Sequence, residues 1–294
     1  MVNKNIKSKE MTEKKDCQDL AVVSRAASVC TKHGIPVLPA CPPNGEQIGH
    51  GGNAFCLKTT LTTGKGEVEV VVKQLLPSRG LSLALGLGEL VSEAALLARV
   101  AGVAGVPRLY GIVLDPPALV TSFDGPHTLF EVVTQRPRRV SDEAVVRAVR
   151  QVCCAVAALH ARRVTHNDIK SNNVVVRQHS DGTLTPCLID LGNSALLGQA
   201  IFPRGQLRWE DHRFLAPELV AGEPSSAASD VFSLGHMMTT FVKFCKPHSE
   251  AGQLLGRLGA RATAKCPNQR PPLQELIACL QSGLGRASTH CNLS

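Results

Sequence analysis

The sequence predicts an α+β protein, and three observations carry that reading. Strand-like segments run from Gln47 to Phe123, with a single long helical stretch, Glu89 to Val103, set among them. From Ser141 onward the apolar spacing turns helical, beginning with a stripe of Val145, Val149, Val152, Val156 and Leu159. Strands gathered first and helices after them suit an α+β fold; regular alternation would suit a parallel sheet. Length is the third: 294 residues, 44% of them hydrophobic, can fill one large domain or two lobes.

Composition narrows the function classes. Only 3% of residues are aromatic, with Trp209 and Tyr110 single examples, so the core is expected to be Leu, Val and Ala. No uninterrupted run is expected to span a bilayer: the most apolar region, Leu81 to Val106, is broken by Glu89, Glu93 and Arg99. The Lys-rich start lacks the apolar stretch of a secretory signal. No membrane partner is expected. Eleven cysteines without paired metal spacing, Cys153 and Cys154 adjacent, read as reduced buried thiols of a cytoplasmic or nuclear protein. The net charge of +8 is spread along the chain, and stacking aromatics are scarce, which speaks against nucleic acid.

In chain order, residues 1–44 read as an N-terminal tail and linker. Met1 to Asp16 is polar and Lys-rich, a disordered tail; Cys17 to His33 can form a short amphipathic helix on Leu20, Val22, Val23, Ala27 and Val29. Gly34, Pro36, Pro39, Pro42 and Pro43 then break it. Ile48-Gly49-His50-Gly51-Gly52-Asn53-Ala54-Phe55-Cys56 is glycine-rich enough for backbone N–H groups to approach phosphates, although a hairpin turn would look the same. Glu67 to Leu75 follows as a strand whose period of two puts Val71 and Lys73 on one face. On the helix beyond, Glu89 and Glu93 lie one turn apart. Ala118 to Phe123 is the next strand. Pro137, Arg138 and Arg139 make a small basic turn before the helix capped by Ser141.

Val164 to Val176 reads VTHNDIKSNNVVV. Asp168 and Asn173 place a carboxylate and an amide five residues apart, with His166 and Lys170 beside them. Phosphoryl transfer needs a carboxylate for the incoming hydroxyl and a side-chain amide for a metal. Cys187 to Gly192, CLIDLG, then ends a strand on Asp190. Ala216-Pro217-Glu218, Asp230 to Gly235, and Arg270-Pro271 ahead of Leu273, Leu276, Ile277 and Leu280 complete the pattern.

In this order, the segments from about Gly45 to Leu284 resemble the eukaryotic protein kinases. The resemblance implies a two-lobed fold: a small β-sheet lobe with one long helix over about 45–122, and a larger, mainly helical lobe over about 125–284, with 285–294 as a tail. It implies ATP and Mg2+. Ile48, Gly49, Gly51, Gly52, Cys56, Val71, Thr121, Phe123 and Val175 would border the nucleotide, and Lys73, paired with Glu93, would contact its phosphates. Asn173 and Asp190 would hold the metal, and Asp168 would act on the substrate hydroxyl. Lys170 resembles the serine/threonine class, so the partners are protein substrates. Asp230 would anchor the catalytic loop, and Arg270 would pair with Glu218.

The sequence departs from that pattern at Ala54, Cys56, Val71, Asn167, Leu191 and Asp211. These departures motivate a pseudokinase scaffold as the alternative. A small-molecule kinase fits less well, given Ala216-Pro217-Glu218 and Lys170. Asn167 stands where the family has an arginine that a phosphate neutralises, and Ser194 is the only hydroxyl from Asp190 to Glu218. Activity is therefore expected without phosphorylation of that segment, ordered by Trp209 and Phe214, with Glu210 or Asp211 as fixed negative charges. The alternative is a segment that stays disordered until a regulatory partner protein binds.

Overall fold

The computed structural model describes residues 2–50, 54–76, 82–135 and 140–290, with side chains from 18 to 284. Gly51 and Gly52 therefore lie outside the described residues, as do Pro137, Arg138 and Arg139. The chain divides into two compact units, Met1–Ala101 with Arg108–Phe123, and Gly102–Pro107 with Asp124–Ser294.

The first unit holds helix α1 (Val2–His33), strands β1 (Glu46–His50), β2 (Ala54–Thr63) and β3 (Gly66–Leu75), helix α2 (Leu83–Arg99), and strands β4 (Leu109–Leu114) and β5 (Pro117–Ser122). The strands form one antiparallel sheet in the order β1-β2-β3-β5-β4. β3 is central because its β-branched run suits a strand covered on both faces. Val70 and Val72 point to one side, where they join Val113, Ala118 and Val120 in a buried cluster. Val71 and Lys73 point to the other.

The N-terminal region departs from expectation. α1 starts at Val2 rather than Cys17, since the Lys, Glu and Met residues before Cys17 favour helix and no Gly or Pro interrupts them before Gly34. It packs against α2, with Ala26 and Cys30 buried. The prolines after it do not make a free linker. Leu38 donates its N–H to the Ile112 carbonyl at 2.8 Å, and Ile112 donates to Pro36 O at 2.9 Å. This parallel bridge occupies the outer edge of β4, and Pro36 stands at its start, where a strand tolerates Pro. Leu38 and Cys41 then pack onto the valine cluster.

Gly111 allows this close approach. A Cβ there would stand 2.6 Å from Pro36 O and 2.9 Å from Leu38 Cγ. Gly111→Val is expected to detach residues 34–44 from β4 and destabilise the protein by about 1–3 kcal/mol. A lowered denaturation midpoint with new protease cleavage in that stretch would show it; a parent-like profile would mean the edge is not held this way.

α2 begins earlier than the sequence pattern suggested, because Ser82 caps it, accepting from Leu85 N–H at 3.3 Å. It stops short of Val103, just before Gly102 turns the chain at φ 79°.

The second unit contains β6 (His127–Thr128), α3 (Leu129–Gln135), α4 (Asp142–Ala161), β7 (Val164–Thr165), β8 (Val174–Gln178), β9 (Leu184–Leu188), β10 (Ala195–Leu196), α5 (Pro217–Val220), α6 (Ala227–Val242), α7 (Glu250–Ala262) and α8 (Leu273–His290). Residues 102–107 belong with this unit although they fall within 45–122, and Leu188 donates to Gly105 O at 2.8 Å. α8 also runs on to His290, into the stretch expected to be a tail.

α4 is the core helix. Ser141 caps it, accepting from Ala144 N–H at 3.1 Å, and Val145, Val149, Val152, Val156 and Leu159 are all buried. By length and composition alone this helix could cross a membrane, although Arg147 and Arg150 interrupt its apolar run. Its packing against α8 and β9 accounts for the apolar character. Cys30, Cys153 and Cys187 are buried thiols, but Cys266 is exposed, contrary to the expectation for all eleven. Burial raises the first three above the ordinary thiol range.

Candidate active site

In the first unit, the register of the sheet gathers one set of predicted residues on a single face. Cys56 pairs with Lys73, and Lys73 with Leu119; Val71 pairs with Thr121. Directly opposed residues share a face. A bulge between Gln47 and Gly49 sets Gly49 opposite Cys56 and leaves Ile48 exposed. Lys73 Nζ donates to Glu93 Oε2 at 2.9 Å. Glu93 is buried on α2 while Glu89 faces solvent, so the choice between them is Glu93. A buried carboxylate requires such a partner.

Phe123 directly follows β5. Its N–H donates to Glu69 O at 3.2 Å, and that of Ser122 donates to Arg108 O at 2.9 Å. Both amide N–H groups thus serve the sheet. Lys58 Nζ lies 4.3 Å from the Phe123 ring centroid, a cation–π contact that holds the ring.

In the second unit, Asp230 organises the loop that runs from His166 to Asn173. Its carboxylate is fully buried and accepts from His166 N–H and Asn167 N–H, each at 2.9 Å, with His160 Nε2 at 2.8 Å. The sequence marks Asp230 as this anchor; His160 joins it from the last turn of α4, and that place is the one signal the sequence offers for it. Two residues on, Asp168 receives Asn173 Nδ2 at 2.8 Å and Lys170 Nζ at 3.0 Å from each carboxylate oxygen. The loop closes on itself, since Asn173 Nδ2 also donates to Asp168 O at 2.9 Å. Lys170 further rests 5.1 Å from the Phe214 ring centroid.

The amide nitrogen of Asn173 is committed to Asp168, so its Oδ1 is the atom left to ligate a cation. Ile189 N–H donates to Asn173 O at 2.8 Å, which sets Asp190 beside that loop. Asp190 lies in the left-handed region at φ 68°, a conformation Asp tolerates. One carboxylate and one amide oxygen fit Mg2+, which takes few protein ligands and completes its shell from water and substrate phosphates. Leu191 is buried as an apolar plug. Val175 alternates with buried Val174 and Val176 and faces the opposite side of β8. His166 is buried beside Ile189 O, and that burial holds its imidazole below the ordinary histidine range.

The later motifs assemble as well. Arg270 meets Glu218 with both terminal nitrogens. Trp209 packs edge-on against Phe232 at 5.9 Å. Glu210 and Asp211 are exposed and pair with Arg208 at 3.8 and 3.9 Å. α7 is the single α-helix between α6 and Arg270.

A family model, the protein kinase domain, matches residues 43–275 of this chain. The chain belongs to the protein kinase family. Curated kinases that it resembles include serine/threonine-protein kinase PkaB of Streptomyces coelicolor, 30% identical over 154 residues that make up 49% of this chain and 36% of the relative. Serine/threonine-protein kinase pak-2 of Caenorhabditis elegans is 31% identical over 132 residues, 45% of this chain and 24% of the relative. Inactive tyrosine-protein kinase RYK, also of Caenorhabditis elegans, is 27% identical over 158 residues, 50% of this chain and 26% of the relative. The matched stretches thus cover between 24% and 36% of these relatives' lengths. Helix α1 and the Pro36–Leu38 edge lie ahead of the residues the kinase family model matches.

Proposed function

We propose that this kinase domain is an active serine/threonine kinase that transfers the γ-phosphate of ATP to protein hydroxyls. The observation that carries the reading is the set of contacts on Asp168. Its carboxylate is held by Asn173 and Lys170 on the same short loop, in the geometry a proton-accepting group needs toward an incoming hydroxyl. Lys170 supplies a positive charge beside that carboxylate, where negative charge gathers during transfer. Lys73, oriented by Glu93, would bind phosphate oxygens. Asp190 and Asn173 would hold Mg2+, which supplies neutralising charge to the phosphates when bound. The likeness of Lys170 to the serine/threonine class, and the two serine/threonine kinases among the relatives, support the choice of substrate hydroxyl.

Activity is proposed to need no phosphorylation of the segment from Asp190 to Glu218. Ser194, its sole hydroxyl, already donates to His166 O at 3.2 Å. Protein made in bacteria and freed of phosphate should transfer label from magnesium-ATP to a generic basic protein at the untreated rate. A large loss on phosphatase treatment, restored by rephosphorylation, would show a switch instead.

The departures at Ala54, Cys56, Val71 and Asp211 favour one other reading, a pseudokinase that acts as a scaffold. The relative named as inactive adds weight to it. Retained ATP affinity with no label transferred to any substrate would decide for the scaffold.

A further inference from the structure

The segment that follows Asp190 is joined to the catalytic loop by an uncharged network, and Asn167 stands at its centre. Asn167 is fully buried and left-handed at φ 64°, a conformation asparagine adopts more readily than most residues. Its side-chain amide donates to Asn193 O at 3.1 Å, to Thr165 Oγ1 at 3.1 Å and to Thr165 O at 3.3 Å. Thr165 Oγ1 is in turn 2.9 Å from Ser225 Oγ and 3.3 Å from Ala195 O. Around this centre, β10 pairs with β7, and Leu197 N–H donates to Arg163 O at 2.9 Å.

We propose that Asn167 is the positioning residue that fixes the start of the activation segment, and through it Asp190, without any phosphate. The proposal rests on the kinase reading, in which Asp190 holds the metal. Asp190 lies in a short span pinned at both ends. Ile189 is held before it by Asn173 O and His166 Nε2. Asn193 is held after it by the Asn167 amide. A guanidinium at position 167 would bring a buried charge that needs an anion; the asparagine Nδ2 instead matches neutral oxygens already in place, while its Oδ1 is buried with no hydrogen-bond partner among the described residues. The amide also discriminates sharply: a carboxylate of the same shape would set acceptors against acceptors. Asn167 touches no reacting atom, so its effect must pass through the segment.

Four variants of the full chain test this. Asn167→Gly keeps the left-handed backbone unstrained and removes the amide. Asn167→Asp keeps the shape and inverts the hydrogen bonding. Thr165→Val removes one acceptor, and Thr165→Ser retains it. All are freed of phosphate and compared in two measurements. One is trypsin cleavage after Arg204 and Arg208 without nucleotide. The other is the Mg2+ concentration that gives half-maximal binding of a fluorescent ATP analogue. Asn167→Asp and Asn167→Gly are expected to be cleaved roughly tenfold faster and to need several-fold more Mg2+, as suits the loss of one or two buried hydrogen bonds. Thr165→Val should move the same way by less, and Thr165→Ser should match the parent.

Parent-like cleavage and Mg2+ dependence in both Asn167 variants would overturn the proposal. So would accelerated cleavage throughout the chain, which would mark Asn167 as a general stabiliser. Failure of the kinase reading shows up separately, as a parent that binds the analogue yet labels no substrate, while the cleavage comparison still judges the tether.

Discussion

Asp168→Asn, Asp190→Ala and Lys73→Met are each expected to lower phosphoryl transfer by roughly a thousandfold or more, and to do so for different reasons. Groups that act as one unit lose far more rate singly than an additive account allows. Asp168→Asn leaves a side chain that still fits beside Lys170 and Asn173 but can no longer accept a proton. Nucleotide binding should survive nearly intact. Asp190→Ala removes the carboxylate proposed to hold the metal, so the Mg2+-dependent part of ATP affinity should go with the rate. Lys73→Met leaves Glu93 buried without its cation, and α2 should loosen as well as the phosphate contact being lost. Rate assays beside calorimetric titration of ATP, with and without Mg2+, separate the three. If any one of them phosphorylates substrate like the parent, the role assigned to that residue is wrong. If all three do, the kinase reading falls.

What the sequence made legible was chemistry set by spacing along one element or one loop. Asp168, Lys170 and Asn173 lie within one short turn, so their mutual contacts follow from local geometry. Val71 and Lys73 share a face because a strand alternates. Ser141 and the α4 stripe are likewise local, and each held. Less legible was whatever depends on which distant backbone comes alongside. The prolines between Pro36 and Pro43 look like a spacer, yet the chain there lies on the edge of β4 because Gly111 leaves room for it. Cys17 looked like the start of a helix because the stripe begins there, whereas the polar residues before it favour helix without any stripe. The bond from Phe123 N–H to Glu69 O is likewise illegible, because nothing in the sequence marks that carbonyl as its acceptor. Asn167 shows the limit most clearly. From sequence it is an absent arginine; the fold turns it into a donor to Asn193.

Arg270→Lys is expected to destabilise the protein almost as much as Arg270→Ala, by about 3–5 kcal/mol, although it keeps the charge. Arg270 carries five N–H donors, and five acceptors are arranged around it. Glu218 takes two of them. Ala228 O takes one at 2.9 Å, Ala264 O one at 2.9 Å and Lys265 O one at 3.1 Å. The guanidinium also stacks on Phe232, with 5.0 Å to the ring centroid. An ammonium offers three donors on a single atom and cannot reach acceptors spread in a fork. Because the arginine side chain is wholly buried and Glu218 nearly so, water cannot replace the missing partners. Glu218→Gln should cost a similar amount, since the amide accepts from one nitrogen only and leaves the buried guanidinium without a counter-ion. Replacing both residues, as in Glu218→Leu with Arg270→Met, removes the uncompensated charge and should recover part of the loss. Recovery stays incomplete because the carbonyls of Ala228, Ala264 and Lys265 remain unmatched. For a domain of this size the single substitutions should lower the thermal midpoint by roughly 10 °C or more. A midpoint for Arg270→Lys within about 2 °C of the parent would show that charge alone, and not the five-donor fork, joins the end of the activation segment to the region ahead of α8.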